Sequence, residues 1–401
     1  MTYDLLIKNA RIRGSKESMD IGVQGGRIAS IGSSLQGNGA TVIDAQGGLV
    51  TEPFVNGHLH LCKVYTVTKL GSDAVKTYHS SGMGGAMTAI EQAAAVKADY
   101  KEEWIIDYAR KACNLALRYG NLWIRAFADV DTKARLEGVK ALIKVREEFR
   151  GRVDLQVVAF PQDGLLRDPG AEEYVEQAMQ LGADVVGGIP WIEFTDEDAQ
   201  EHVNRMFDLA VKYDRDVSML VDDAGDPTLR TIEMMGKEMI KRGWQGRATA
   251  QHCRGMALYP EPYFRRLQGL MKEAGLGLVS DPHTGPLHAR VRDLYEAGIP
   301  VALGQDDIAD AYYPFGKNNM QEVAFLAAHL LWMTSLEDMD ILYDLITKNA
   351  ARVLGIKDYG LKEGGPADFV ILKASDVWHA IWEHEAPAYV IRGGKDITLV
   401  E

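Results

Sequence analysis

Hydrophobic residues along this chain follow two rhythms. From Phe54 onward, short continuous apolar runs alternate with stretches in which apolar residues recur every three to four positions. The runs are 122–128, 153–160, 184–188, 217–221, 248–251, 276–280 and 300–304, and the helical patterns between them include 171–182, 199–213, 228–242 and 263–274. A continuous apolar run suits a parallel strand buried on both faces and covered by helices. With the strand that opens at Phe54 there are about eight such units, which predicts an α/β fold, a closed TIM-like (β/α)8 barrel. A doubly wound open sheet is the alternative. The last long helix is predicted as one piece, capped by Ser335 with Asp338 three residues on and stopped by Gly355.

The two ends have a shorter period. Residues 3–50 read as alternating strands split by Gly and Asn turns, at 4–9, 20–23, 27–31 and 41–44, and the tail reads alike at 367–372 and 388–392. Both ends are therefore expected to pair into one small β-sandwich domain, residues 1–53 plus 356–401, flanking a catalytic barrel over 54–355.

Composition narrows the field of functions. The 401 residues carry a net charge of −13, which argues against nucleic acid or an anionic membrane as partner. The sequence predicts no signal peptide and no membrane span. Three cysteines form no framework and suit a reducing cytoplasm.

The chemistry begins in Phe54-Val55-Asn56-Gly57-His58-Leu59-His60-Leu61, an apolar strand ending in His-x-His. Residues two apart in a strand share a face, so His58 and His60 can offer two imidazoles to one ion. His252 and Asp306 sit at the ends of later predicted strands, and Gln162 closes another. Alone, Asp306-Asp307 would read as a helix N-cap pair and His252 as a core histidine. Their convergence on strand ends favours a site.

With these residues, the chain resembles the metal-dependent amidohydrolase superfamily. Val55 to His60 looks like its first-strand motif, and 349–355 followed by 364–370 looks like its carboxyl signature. The stretches 157–164, 185–188, 304–307 and 313–316 are similar to the cytosine deaminase-like branch, which includes isoguanine deaminases and N-isopropylammelide amidohydrolases. The resemblance implies one catalytic divalent metal, Zn, Fe or Mn, at the barrel mouth, with a metal-activated water as nucleophile. It implies His58, His60 and Asp306 as ligands, Asp306 also as base, His252 steadying the tetrahedral intermediate, Asp223 delivering a proton to the ring, and Gln162 binding substrate. Trp191, near a loop end, could stack on a planar ring. The substrate would be a small heterocycle attacked at a C–N bond. Members of the class often self-associate, so a homo-oligomer is an expectation.

Three positions depart from the family. Leu220 stands where the fifth strand carries a ligand His, Phe127 where relatives have His, and Cys62 where a close relative has Asp before Lys63. Three consequences of Leu220 stay open from sequence. Asp222, two residues on and about 6.6 Å further along the strand, takes over as ligand. Or water completes a weaker site on His58, His60 and Asp306. Or the metal is lost, and the barrel opens a lactone or other ring, acts as a lyase, or only binds.

Overall fold

Eight parallel strands, buried along nearly their whole length, run in chain order around a ring. They are β6 (Phe54–Leu59), β7 (Asn121–Asp129), β8 (Asp154–Phe160), β9 (Val185–Gly188), β10 (Asp216–Val221), β11 (Ala248–His252), β12 (Gly277–Ser280) and β13 (Val301–Leu303). The computed structural model describes residues 2–15, 17–70 and 96–399. The ring closes between its last and first members: Leu59 bridges Asp306 in parallel, Gln305 N donates to His58 O at 3.0 Å, and His60 N donates to Asp306 O at 2.8 Å. Closure excludes the open sheet. Helices Glu102–Arg118, Glu137–Glu148, Ala171–Leu181, Asp196–Tyr213, Thr231–Lys241 and Glu261–Ala274 pack their apolar faces on the outside of the ring. Among the described residues no helix is long and apolar enough to cross a membrane.

The last long helix corrects the expectation of one piece. Its capping box is present, with Ser335 and Asp338 bonding each other's backbone. The helix nevertheless ends at Leu345, and a second one runs over Lys348–Val353. The Ile346 carbonyl, which a continuous helix would turn toward Ala350 N, accepts instead from Val55 N of β6 at 2.9 Å. Tertiary pairing overrides the local periodicity there.

The chain ends meet in a separate mixed sheet. β1 (Thr2–Ile12) pairs antiparallel with β2 (Ser18–Gln24), which pairs antiparallel with β3 (Arg27–Gly32), and β1 also pairs parallel with both β4 (Asn38–Asp44) and β5 (Leu49–Thr51). β5 then pairs antiparallel with β14 (Phe369–Ile371) of the tail, and β14 with β15 (Tyr389–Arg392). Leu5, Ile7, Ile21, Val23, Ile28, Phe369 and Ile391 form a core of its own. Arg13 ties this sheet to the barrel through Asp340 and Asp344, at 3.0 and 2.5 Å.

Candidate metal centre

β6 delivers both of its histidines by a local device. Asn56 Oδ1 accepts from His58 N at 3.1 Å and from Gln305 N at 3.0 Å, which clamps the first strand to the last at the point where the ligands emerge. Gly304 makes room for this approach: a Cβ there would lie 2.2 Å from Asp281 Oδ1 and 2.7 Å from His58 Cβ. Just beyond, Asp306 takes a left-handed backbone, φ 63°, and His252 at the end of β11 does the same, φ 64°. Such conformations in side-chain-bearing residues each cost about 1–3 kcal/mol and concentrate at functional sites.

Asp306 Oδ1 is the centre of the arrangement. His58 Nε2 lies 3.3 Å from it, and His60 Nε2 and His252 Nε2 each lie 3.8 Å away. All four side chains are buried, and one donor atom from each falls within 4.8 Å of the others. The tautomer of His58 follows from its neighbours. Gln251 Nε2 donates to Ser218 Oγ at 2.8 Å, so Gln251 Oε1 faces His58 Nδ1 at 3.0 Å and receives its proton. The His58 imidazole, tied through Nδ1, turns its Nε2 lone pair toward the carboxylate, the usual preparation of a metal-binding histidine. His252 Nδ1 lies 3.1 Å from Asp281 Oδ2 as a close charge contact, outside hydrogen-bond geometry. Among the described residues His58 Nε2, His60 Nδ1 and His252 Nδ1 find no hydrogen-bond partner. A lone pair aimed at a carboxylate oxygen in a buried place is repulsive until a cation lies between them. The donor set of three imidazoles and one carboxylate therefore fits a divalent ion of the Zn, Fe or Mn type.

Charge in the site follows from the same packing. Burial, with Lys63 and His58 close by, holds His60 well below the ordinary histidine range. Burial works against ionised Asp306, yet His252, His58 and His60 hold its carboxyl well below the ordinary range. For His252 burial again opposes charge, but Asp223 and Asp306 outweigh it and raise the imidazole.

The structure corrects the expectation for Asp222. Its carboxylate points away from the cluster and is fully used behind β10, accepting from Thr231 N at 2.6 Å, Thr231 Oγ1 at 2.7 Å, Ile232 N at 3.4 Å and the Tyr259 hydroxyl. It starts the helix Thr231–Lys241 rather than holding metal. The left-handed turn at Asp222, φ 47°, breaks the strand alternation on which the expectation rested.

Leu220 does point inward, as does Ser218 two residues earlier. It joins Phe127, Val158, Phe160, Val185, Ile189 and Ile192 in an apolar wall against the histidines. Phe127 lies 4.0 Å from the His58 ring and 5.5 Å from that of His60, and Phe160 lies 5.4 Å from His60. The two departures from the family, Leu220 and Phe127, are thus one packed unit. Carbon fills the side where a fifth-strand ligand would sit.

The remaining expected residues also surround the mouth. Asp223 Oδ1 accepts from Arg254 Nη1 at 2.5 Å. Gln162, after β8, accepts from buried Lys63 Nζ at 3.1 Å. Trp191, after β9, is half-buried against the apolar wall, and its Nε1 finds no partner among the described residues. Sequence reasoning missed Gln251 and Arg254, which flank His252, and Thr284. It also missed Glu193, whose buried carboxylate accepts from Leu165 N, Leu166 N, Arg167 N and His202 Nδ1 at 2.7, 3.2, 3.0 and 2.6 Å. Glu193 pins the loop after β8 to the loop after β9. Only adjacency to His252 could have flagged the first two; nothing local marks Thr284 or Glu193.

Known proteins carry the same architecture. N-isopropylammelide isopropyl amidohydrolase of Pseudomonas sp. (strain ADP) is 30% identical over 400 residues, spanning 100% of this chain and 98% of its own length. Pterin deaminase of Rhizobium rhizogenes is 26% identical over 374 residues, spanning 88% of this chain and 82% of its own. The crystal structure of 5-methylcytosine deaminase from Klebsiella pneumoniae, liganded with 5-fluorocytosine, superposes with a TM-score of 0.90 at 33% identity, covering 99% of this chain and 98% of that one. The amidohydrolase family profile matches residues 41–396, a span that takes in all four residues of the metal-type cluster. By that match, and by the near end-to-end likeness to these enzymes, the chain belongs to the amidohydrolase family.

Proposed function

We propose that the protein hydrolyses a C–N bond of a nitrogen heterocycle, using a divalent metal held by His58, His60, His252 and Asp306. The observation that carries this reading is the set of three imidazole Nε2 atoms around Asp306 Oδ1, at 3.3, 3.8 and 3.8 Å, in a buried place where His58 Nε2 has no hydrogen-bond partner among the described residues. His252 makes up for the ligand that Leu220 removes. A divalent ion bound there supplies Lewis acidity and an acidified water.

The chain's own groups do the rest. Asp223 has one oxygen engaged by Arg254 and keeps the other to hold a proton for the ring nitrogen. Gln162 gives its carbonyl to Lys63, which leaves its Nε2 protons to donate to a ring C=O. Trp191 offers an aromatic face to a planar ring. The wall of Phe127, Leu220 and Phe160 suits an apolar substituent on the substrate and excludes water from that side. This fits an N-isopropyl substrate, as named for one relative, better than an unsubstituted pyrimidine. Three unpaired, buried cysteines fit a cytoplasmic setting.

The test joins elemental analysis to a substrate screen. Protein purified without chelator should carry about one Zn, Fe or Mn per chain, and His58→Ala and Asp306→Ala should lose it. Wild type should release an amine or ammonia from N-alkylaminotriazines, aminopyrimidines or pterins. Metal-free protein that takes up neither Zn nor Mn and turns over none of these substrates would overturn the proposal.

A further inference from the structure

Asp306 has two oxygens in different surroundings. Oδ1 faces the three imidazoles. Oδ2 lies on the far side, where Thr284 Oγ1 donates to it at 2.7 Å and Arg254 Nη2 stands 3.4 Å away. Thr284 comes from the turn after β12 and Arg254 from the turn after β11, so neighbouring strands converge on one atom.

The direction of the Thr284 bond is fixed by its other contacts. The hydroxyl accepts from Arg254 Nη2 at 2.6 Å, and it has a single proton to give. Among the described residues its acceptors are Asp306 Oδ2 at 2.7 Å and the Asp281 carbonyl at 3.0 Å. The shorter contact to the ionised oxygen is the stronger. Arg254 is itself held at its other end by Asp223, and it threads past Gly285, where a Cβ would come within 2.9 Å of Arg254 Nε. Its side chain is 5% exposed, so the guanidinium is packed in place.

We propose that Thr284 and Arg254 are positioning residues which hold Asp306 to one-oxygen binding of the metal and thereby set the affinity of the site. This rests on the metal-binding reading given above. With Oδ2 engaged by two donors, only Oδ1 is offered to the ion. Without the Thr284 hydroxyl, the carboxylate can rotate and present both oxygens or neither.

The test is metal affinity, read without turnover. Zn(II) affinity would be measured by competition with a chromophoric chelator for wild type, Thr284→Val, Thr284→Ala and Thr284→Ser. Outer partners of metal ligands typically account for about 10- to 100-fold in affinity, so Val and Ala should weaken binding by that factor and Ser should restore it to within about 3-fold. The visible bands of bound Co(II) give a second readout, because their intensity falls as coordination number rises; Val and Ala should shift them and Ser should not. Thermal unfolding in chelator identifies which variants are folded, and Ala serves should the branched Val disturb packing. Wild type without affinity for Zn(II) would overturn the metal-binding reading. Tight wild-type binding, equalled by folded Val or Ala with an unchanged Co(II) spectrum, would overturn this proposal and leave that reading standing.

Discussion

Returning the missing ligand should have a computable cost. Leu220 is 4% exposed and packs among Phe127, Val158 and Phe160. In Leu220→His without metal, the wall loses about 2 kcal/mol of apolar burial. The new imidazole must also leave a polar N–H unsatisfied among carbon, at about 1–3 kcal/mol. Together the change costs about 3–5 kcal/mol. Unfolding entropy near 2.1 cal/mol/K per residue amounts to about 0.8 kcal/mol/K for 401 residues, which converts this cost to a drop in Tm of about 4–6 °C. Zinc should narrow this gap. The substituted chain offers an extra imidazole beside His58, so saturating Zn(II) should raise its Tm by more than that of wild type, with about 4 kcal/mol available at a thousandfold excess over Kd. Scanning calorimetry in chelator and in Zn(II) measures both effects. Equal melting of the two proteins in chelator would refute the stabilising role of the apolar wall, and an equal zinc shift would refute the placement of Leu220 beside the metal.

Two further outcomes follow from other residues. Asp222→Ala should keep its metal, by elemental analysis, while losing about 1–2 kcal/mol of stability, because its carboxylate starts the helix Thr231–Lys241 and stands outside the cluster. Glu193→Gln should cost about 2–4 kcal/mol, since an amide cannot accept all the bonds that the carboxylate takes from three backbone N–H groups and His202. Burial raises the Glu193 carboxyl, but His202 and the backbone donors outweigh it and hold it below its ordinary value of 4.5. A depressed folded pKa gives stability that is present above the unfolded value and lost as pH falls through the folded one. Wild type should therefore lose stability below about pH 4.5 in a step that Glu193→Gln lacks, followed by tryptophan fluorescence in acid unfolding.

Periodicity made the barrel and the β-rich ends legible along the chain, while His58, His60 and Asp306 as ligands came from the family resemblance, which gave His252 a different role. Short continuous apolar runs, repeated between helical patterns, read as inner parallel strands, and residues at the carboxyl ends of such strands share one mouth. The cap at Ser335 was legible for the same reason, since its partner is three residues away. What the tertiary structure alone decided concerns partners far apart in the chain. The helix after Ser335 breaks because Val55, nearly three hundred positions earlier, takes the Ile346 carbonyl. Asp222 turns outward because a left-handed residue ends the strand alternation that had placed it inward. Leu220 looked like a missing ligand, and only packing shows that it and Phe127 form one wall. The hold of Thr284 and Arg254 on Asp306 likewise joins three strand ends. Spacing along a chain fixes which face a residue shares. It carries no information about which distant atom meets it there, because that depends on how the strands close.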